Sequence, residues 1–388
     1  MRRGMATWII TFLVAAGATA AVSLPATETE RPARAVRPDA AAAGAAATGP
    51  DAAPSSAAVP VAERQQQVAA PEPAALPAAP TPLPADRLQA VVDDFIATHA
   101  GIGSVSVGVA LAEPGVEPWF GGDAAAAAEP YGILSITKTF TEALVLREAA
   151  AGRIDLDAPM PTLPGVVPVP AGVVITPRML LQHTSGVVNY MSAVGYDPKA
   201  TVTPAQLVSL SLKSPLLAPP GTTASYSNTN FHWLGLLLEH TTGRTFADLV
   251  AGLALEVGLP NTALDPAGRP GWIGYASGGI RSTVADVTRW GMALFTVDKV
   301  LRAADVQKLT TLGPKGVSHG LWPIAGGVGQ IVAHGGIVYY PAERLVVVVR
   351  IDPGTPQTNA HTADLATALR AAAHTAAADA GLSGSAAG

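Results

Sequence analysis

From residue 86 onward, the chain carries helix-like and strand-like spacings of apolar residues. Apolar residues three and four apart predict helices, at 86–98, 139–150, 177–182, 204–212, 231–242, 245–257, 282–295 and 362–378. Short β-rich runs predict strands, at 105–111, 330–334, 339–340 and 345–351. Strands therefore come from both ends of this region and helices from its middle. This order predicts an α/β (α+β) fold, in which an antiparallel sheet built from both termini is flanked by helices and carries an inserted, mainly helical lobe.

The N-terminal segment, residues 1–25, has the composition of an export signal. Arg2 and Arg3 precede an uncharged, largely apolar run over 6–22. The triplet at 18–20, Ala-Thr-Ala, offers the small-x-small cleavage site of a secretory signal peptide. An uncleaved membrane anchor is the alternative. We therefore expect an extracytoplasmic protein, either secreted or anchored to the outer face of the cytoplasmic membrane.

Two further segments lack the large apolar residues that a core requires. Residues 26–85 are dominated by alanine and proline, and such a segment cannot bury enough surface to offset its conformational entropy. We expect a disordered linker there and a disordered, small-residue tail at 379–388. The remaining span, 86–378, is long enough for one large catalytic domain.

The composition argues against several classes of function. The net charge is −5 over 388 residues and shows no basic stripe, so we expect no nucleic-acid partner. The chain has no cysteine, which leaves neither a disulfide framework nor a thiol for lipid attachment. His232 and His240 share a predicted helix, but no third ligand at metal spacing joins them. We therefore expect no metal and no cofactor, and the oligomeric state stays open.

One serine–lysine pair carries the first sign of chemistry. Ser135 lies three residues before Lys138 and just ahead of the predicted helix at 139–150, so the hydroxyl and the amine can share one helix face. A serine hydroxyl is a weak nucleophile until a base takes its proton, and a lysine removed from water can be that base. The alternative is a surface lysine one turn from a helix-capping serine.

Two motifs further along the chain favour the catalytic interpretation. Tyr226-Ser227-Asn228 stands in a turn-rich stretch before the helical run 231–238, and His334-Gly335-Gly336 is predicted to close the strand-like run 328–333. Ser-x-x-Lys, Tyr-x-Asn and His-x-Gly, in this order, are similar to the three-part active-site pattern of the serine penicillin-recognising enzymes. On these motifs the chain resembles the serine β-lactamase-like, penicillin-binding family, of the class C β-lactamase and D-alanyl-D-alanine carboxypeptidase type. The resemblance covers about residues 86–375.

The resemblance implies a role for each catalytic residue. Ser135 would be the nucleophile, and Lys138 would be the base for acylation. Tyr226 would share the proton transfer and assist the leaving group. Asn228 would hydrogen-bond Lys138 and the substrate amide. Its alternative role is the N-cap of a helix over 229–238, and one residue could fill both roles.

The same resemblance implies the groups that bind the substrate. The oxyanion would be held by two backbone N–H groups, those of Ser135 and Ile337, and donors of this kind contribute strongly to catalysis. His334, Gly335 and Gly336 would line the site, because glycines let a strand approach the substrate closely.

Three positions depart from the family pattern. Leu134 stands where a small residue is usual and is expected to crowd the pocket. His334 replaces the lysine of many β-lactamases, and Gly335 replaces a threonine whose hydroxyl binds the substrate carboxylate. Recognition of a carboxylate is therefore in question, with Arg281 or Arg350 as candidate clamps.

These observations predict an exported serine hydrolase that acts through an acyl-enzyme on Ser135. The activity expected is D-alanyl-D-alanine carboxypeptidase-like or β-lactamase-related amide or ester hydrolysis, on a small-molecule or peptidoglycan-derived substrate. A promiscuous esterase of the same fold and a non-catalytic penicillin-binding or envelope protein are the alternatives. The acyl donor itself cannot be read from the chain.

Overall fold

The computed structural model describes residues 83–112, 115–265, 274–354 and 357–379. The predicted export segment 1–25, nearly all of the predicted linker 26–85 and nearly all of the predicted tail 379–388 lie outside these residues. Within the described ranges, no helix combines the length and the apolar character that crossing a bilayer requires.

The secondary structure alternates between a sheet-forming part and a helical part. The helices are α1 (Ala85–Thr98), α2 (Ala124–Ala128), α3 (Thr137–Ala150), α4 (Pro177–Leu181), α5 (Pro204–Leu212), α6 (Asn228–Thr242), α7 (Phe246–Val257), α8 (Tyr275–Gly278), α9 (Val284–Phe295), α10 (Ala303–Thr310) and α11 (Thr358–Asp379). The strands are β1 (Ser104–Leu111), β2 (Trp119–Gly122), β3 (Tyr131–Gly132), β4 (Ala263–Leu264), β5 (Ile280–Ser282), β6 (Trp322–Ile324), β7 (Gly327–Val332), β8 (Gly335–Tyr340) and β9 (Leu345–Asp352).

In the part of the chain that the structure describes, six strands form an antiparallel sheet in the order β2-β1-β9-β8-β7-β6. The N-terminal strands thus pair directly with the C-terminal ones, and the helices α3 to α8 lie between them in the chain. Helices α1 and α11 pack on one face of the sheet, and α9 packs on the other. The predicted architecture, an antiparallel sheet from both termini with an inserted helical lobe, is confirmed.

Strand β9 shows why the sequence of the sheet is almost continuously apolar. Its valines alternate between two hydrophobic clusters, because Val346 and Val348 face the helical lobe while Val347 and Val349 face α1 and α11. A strand covered on both faces buries every side chain, so it lacks the polar alternation of a half-exposed strand.

The prediction for the His-Gly-Gly motif needs a correction. Strand β7 ends at Val332, His334 lies in the turn that follows, and Gly335 and Gly336 begin β8. The motif therefore opens a strand instead of closing one. The tight hairpin is possible because Gly335 has a φ of +128°, and a Cβ there would overlap the Val349 carbonyl oxygen.

The short elements at the edges were not predicted. The alanine-rich connection before Pro130 contains α2, which Asp123 caps by accepting hydrogen bonds from the N–H groups of Ala125 and Ala126. The short strand β2 pairs with its neighbour β1, and the two-residue strand β3 pairs with β5, about 150 positions further along the chain. They are too short to show a periodic pattern of their own.

Candidate active site

The proposed nucleophile stands on a tight turn at the start of α3. Leu134–Ile136 forms one turn of 3₁₀ helix, and Ser135 in its middle is half-buried. Leu134 has a φ of +46°, a left-handed backbone that a branched side chain adopts only under strain. Its side chain packs against the hydrophobic core. The strain stands immediately before the hydroxyl that is proposed to react, as is common at functional sites.

Lys138 is fully buried one turn along α3, and its amine is surrounded by oxygen atoms. Nζ lies 3.0 Å from Ser135 Oγ, 2.8 Å from Asn228 Oδ1 and 2.7 Å from the Ser277 carbonyl oxygen. Burial lowers the pKa of Lys138 well below its ordinary value of 10.5. A neutral amine has two N–H donors and one lone pair. The two carbonyl oxygens can take the donors, which leaves the lone pair for the hydroxyl of Ser135.

Tyr226 approaches the same hydroxyl from the loop before α6. Its Oη lies 2.5 Å from Ser135 Oγ, and Lys138 Nζ lies 4.9 Å from the centre of its ring. Burial raises the pKa of Tyr226, so the phenol keeps its proton. The hydroxyl of Ser135 thus has one neighbour suited to accept a proton and one suited to donate or relay it.

Asn228 is the first residue of α6, and its side chain is turned to Lys138. The N-cap position belongs to Ser227, so the alternative role of Asn228 as the cap is wrong. The Ser277 carbonyl oxygen in α8, which completes the amine's surroundings, was not predicted. A backbone carbonyl leaves no signature in a sequence, because every residue has one.

The buried residue His183 lies behind the tyrosine. Its Nδ1 accepts the Ser227 N–H at 3.1 Å, and its ring stacks on the Tyr226 ring with centroids 4.7 Å apart. Burial lowers the pKa of His183 well below 6.5. A neutral imidazole that accepts a backbone N–H and supports an aromatic ring holds the Tyr226 loop in place.

The structure places Gly335, Gly336 and Ile337 one strand away from the turn that carries Ser135. The strand beside the nucleophile turn is β7, and β8 lies one strand further into the sheet. Gly335, Gly336 and Ile337 pair with β7 on one side and with β9 on the other. His334, in the turn, has its Nδ1 beside Gly354.

The prediction that Ile337 donates to the oxyanion is therefore wrong. The Ile351 N–H donates to the His334 carbonyl, so even-numbered residues of β8 bond to β9 and odd-numbered ones bond to β7. The N–H of Ile337 consequently faces Gln330 inside the ladder. A motif shows residue types but not strand register, and register decides which way an N–H points.

The two candidate carboxylate clamps are in different situations. Arg350 is buried, donates to the carbonyl oxygens of Ala126 and Glu129, and pairs with Asp352 at 2.8 Å. Its guanidinium is therefore engaged by groups of the protein itself and does not point to a substrate carboxylate. Arg281 is exposed in β5, directly opposite Gly132, which lies three residues before Ser135. It donates to the Pro130 carbonyl oxygen at 2.6 Å.

Across the described residues, no group of three or more acidic, histidine or cysteine side chains is arranged to hold a metal ion.

Comparison with known proteins identifies the family. The profile described as Beta-lactamase matches residues 88–372, most of the chain. The chain belongs to the Beta-lactamase family. The family resemblance predicted from the three motifs is thereby confirmed, and it makes the protein a serine hydrolase of this fold. A putative fimbrial assembly protein FimD, serogroup D, of Dichelobacter nodosus is 35% identical over 123 residues, a match that spans 29% of either protein.

Solved structures agree with the fold of the Beta-lactamase family. D-amino acid amidase from Ochrobactrum anthropi SV3 superposes with a TM-score of 0.62 at 18% identity, over 75% of this chain and 98% of that one. D-stereospecific amidohydrolase from Streptomyces sp. gives 0.56 at 22% identity, over 72% and 98%. The penicillin binding protein from Bacillus halodurans gives 0.57 at 21% identity, over 73% and 99%.

Proposed function

We propose that this protein hydrolyses amides or esters of D-amino acids through an acyl-enzyme on Ser135. The observation that carries the proposal is the position of one hydroxyl between two buried groups. Ser135 Oγ lies 3.0 Å from the Lys138 amine and 2.5 Å from the Tyr226 phenol. Because burial favours the neutral form of both groups, the amine can take a proton while the phenol holds one.

The proposed reaction starts with the transfer of the Ser135 hydroxyl proton to Lys138 Nζ. As that O–H bond breaks, Oγ bonds to the substrate carbonyl carbon, whose oxygen becomes an oxyanion. When the carbonyl re-forms, the bond to the leaving group breaks, and the proton passes from Lys138 through Tyr226 to the leaving group. Water then adds to the acyl-enzyme, the acid is released, and Ser135 regains its proton.

Two backbone N–H groups at the nucleophile turn and on the neighbouring strand can stabilise the oxyanion. The first is that of Ser135 itself, at the start of a helix. The second, we propose, is that of Ile331 in β7. Strand β6 pairs with β7 only at residues 327–329, so Ile331 lies on an open edge, and the register that turns Gln330 toward β8 turns Ile331 away from it. Among the described residues, neither N–H has a hydrogen-bond partner.

The choice of acyl donor rests on the charges near the site. Gly335 has no side-chain donor, and Arg350 is held by backbone carbonyls and Asp352. Of the two candidate clamps, Arg281 alone is exposed to meet a free carboxylate beside the scissile bond, whereas an amide or ester without that carboxylate needs only the groups around Ser135. The structural similarity to a D-amino acid amidase and a D-stereospecific amidohydrolase supports the same class.

A D,D-carboxypeptidase is the second candidate, and Arg281 favours it. This cation is exposed on the strand that pairs with the segment leading to the nucleophile. In a carboxypeptidase, Arg281→Gln raises KM for a peptide ending in D-Ala-D-Ala and leaves KM for a neutral ester unchanged. In the proposed amidase or esterase, the variant leaves both values unchanged.

The cellular location is part of the proposal. The composition of residues 1–25 supports export, with the protein secreted or anchored outside the cytoplasmic membrane. N-terminal sequencing of the protein recovered from its host separates a cleaved signal from an anchor. Recovery in the cytoplasm with residues 1–25 intact would contradict export.

A substrate comparison tests the proposed activity. Initial rates are measured for p-nitrophenyl acetate, D-phenylalanine amide, a D-Ala-D-Ala peptide and a chromogenic cephalosporin, with Ser135→Ala as the control. We expect hydrolysis of the ester and the D-amide, slow turnover of the other two, and none in the variant. Rapid cephalosporin turnover without ester or D-amide hydrolysis would contradict the proposal.

A further inference from the structure

The helix that carries the nucleophile also carries a buried carboxyl to which no role has been given. Glu142 is 0% exposed, and neither carboxyl oxygen has a hydrogen-bond partner in the described part of the chain. It follows Lys138 by four residues on α3, so the two side chains lie on one helix face. Because a carboxyl buried without a partner is costly, an apolar residue would be more stable there.

The loop before β6 is shaped around this carboxyl. A Cβ atom at Gly320 would overlap Glu142 Oε1, so a larger residue there would push the carboxyl out of its present position. Gly320 has a φ of +94°, and its carbonyl oxygen accepts a hydrogen bond from the Gln330 side chain at 2.5 Å. The backbone is thus held against Glu142 by a residue of β7, the strand beside the nucleophile.

Among the described ionisable groups near Glu142, Lys138 is the one whose protonation is coupled to that of Glu142 near neutral pH. Burial raises the pKa of Glu142 and lowers that of Lys138, and the charge of each opposes the shift of the other. The charge of Glu142 also raises the pKa of Tyr226, and the charge of Lys138 lowers the pKa of His183 and of His232. These three stay neutral near neutral pH, because burial raises the pKa of the phenol and lowers the pKa of both imidazoles.

We propose that Glu142 is a positioning residue for acylation that acts through Lys138; this rests on the proposed function. When Lys138 accepts the Ser135 proton, an ammonium forms in a site closed to water, and the Glu142 carboxylate one turn away stabilises it. Acylation is fastest when Lys138 is a neutral amine and Glu142 is a carboxylate, and protonation of either group slows it. No bond to Glu142 forms or breaks.

The pH dependence of kcat/KM for p-nitrophenyl acetate tests the proposal. Glu142→Gln removes the anion that favours protonated Lys138, so the acidic limb moves to lower pH by about one unit or more and the plateau falls. Glu142→Asp, which keeps the carboxyl, returns the limb toward its wild-type position. Glu148→Gln, which removes a carboxylate from the far end of the same helix, leaves the profile unchanged. Superimposed profiles of Glu142→Gln and the wild type would overturn the proposal.

A second readout needs no activity. The ¹³Cε resonance of Lys138, assigned by its loss in Lys138→Met, titrates at lower pH in Glu142→Gln and Glu142→Met than in the wild type. Gly320→Ala, which displaces the carboxyl, shifts it in the same direction. Equal titration in all four proteins overturns the role of Glu142 even where the ester is hydrolysed. A shifted titration in a protein that hydrolyses no substrate overturns the proposed function and supports the coupling.

Discussion

Acid should destabilise the fold through His232 on α6. The side chain is 0% exposed, its Nδ1 has no hydrogen-bond partner among the described residues, and its Nε2 lies 3.4 Å from Ser277 Oγ. Its ring stacks on Tyr275, with centroids 5.8 Å apart. Burial, assisted by the charge of Lys138, lowers the pKa of His232 from 6.5 to about 3. A protonated imidazole would therefore be unstable in this buried position.

The size of the effect follows from proton linkage. Between pH 6.5 and about 3, His232 is protonated in the unfolded chain and neutral in the folded one. The unfolded state binds more protons there, so the free energy of unfolding falls as the pH falls, by about 1.4 kcal/mol per pH unit. At pH 4.5, two units below 6.5, the titration of His232 therefore lowers the free energy of unfolding by about 3 kcal/mol relative to its value at pH 7.5.

Urea unfolding at pH 7.5 and 4.5, followed by tryptophan fluorescence, isolates this term. His232→Phe replaces the imidazole by an aromatic ring that cannot titrate, so relative to the wild type the variant gains about 3 kcal/mol of unfolding free energy on going to pH 4.5. A pH-independent packing change cancels in that comparison. The control is His240→Phe, whose side chain is exposed on the same helix. A gain absent from His232→Phe, or equal in the control, would refute the reasoning.

Three further substitutions test the site and the core. Tyr226→Phe removes the proposed proton relay, so kcat/KM for p-nitrophenyl acetate falls about 10²-fold or more; a loss of only a few-fold contradicts the relay. Asn228→Ala leaves an N–H of the buried amine unpaired, which lowers the unfolding free energy by about 1–3 kcal/mol and reduces kcat; an unchanged kcat contradicts its role in orienting the amine. Phe140→Ala removes the ring stacked 3.9 Å from that of Trp290 and costs about 3–5 kcal/mol in urea unfolding; a cost below 1 kcal/mol means that this contact does not support α3.

The parts of the fold and site that could be predicted are those with local signatures. Helical spacing marked α3, α6 and α9 to within a few residues. Ser135 and Lys138 lie one turn apart in the chain, so their contact follows from helix geometry. Tyr226 and Asn228 were connected to them only by the resemblance, since nothing local links residues about ninety positions apart.

The parts that could not be predicted depend on register and on backbone groups. Ile337 was assigned to the oxyanion from its place after a motif, but the hairpin turns its N–H into the sheet and leaves Ile331 on the open edge. The Ser277 carbonyl is a third contact of the Lys138 amine and carries no side-chain signal. The buried position of Glu142 is hidden in the sequence, because a charged residue on a helix normally predicts an exposed face.

The central claim is that Ser135 becomes acylated, and intact-protein mass spectrometry tests it most directly. The reaction of the full chain with p-nitrophenyl acetate is quenched during turnover, and the mass of the intact protein is measured. A digest then locates the adduct, and Ser135→Ala is treated in parallel. Our account predicts one added acetyl group, on the peptide that contains Ser135, and neither adduct nor turnover in the variant. An acetyl group on another residue, or wild-type turnover by Ser135→Ala, would contradict it.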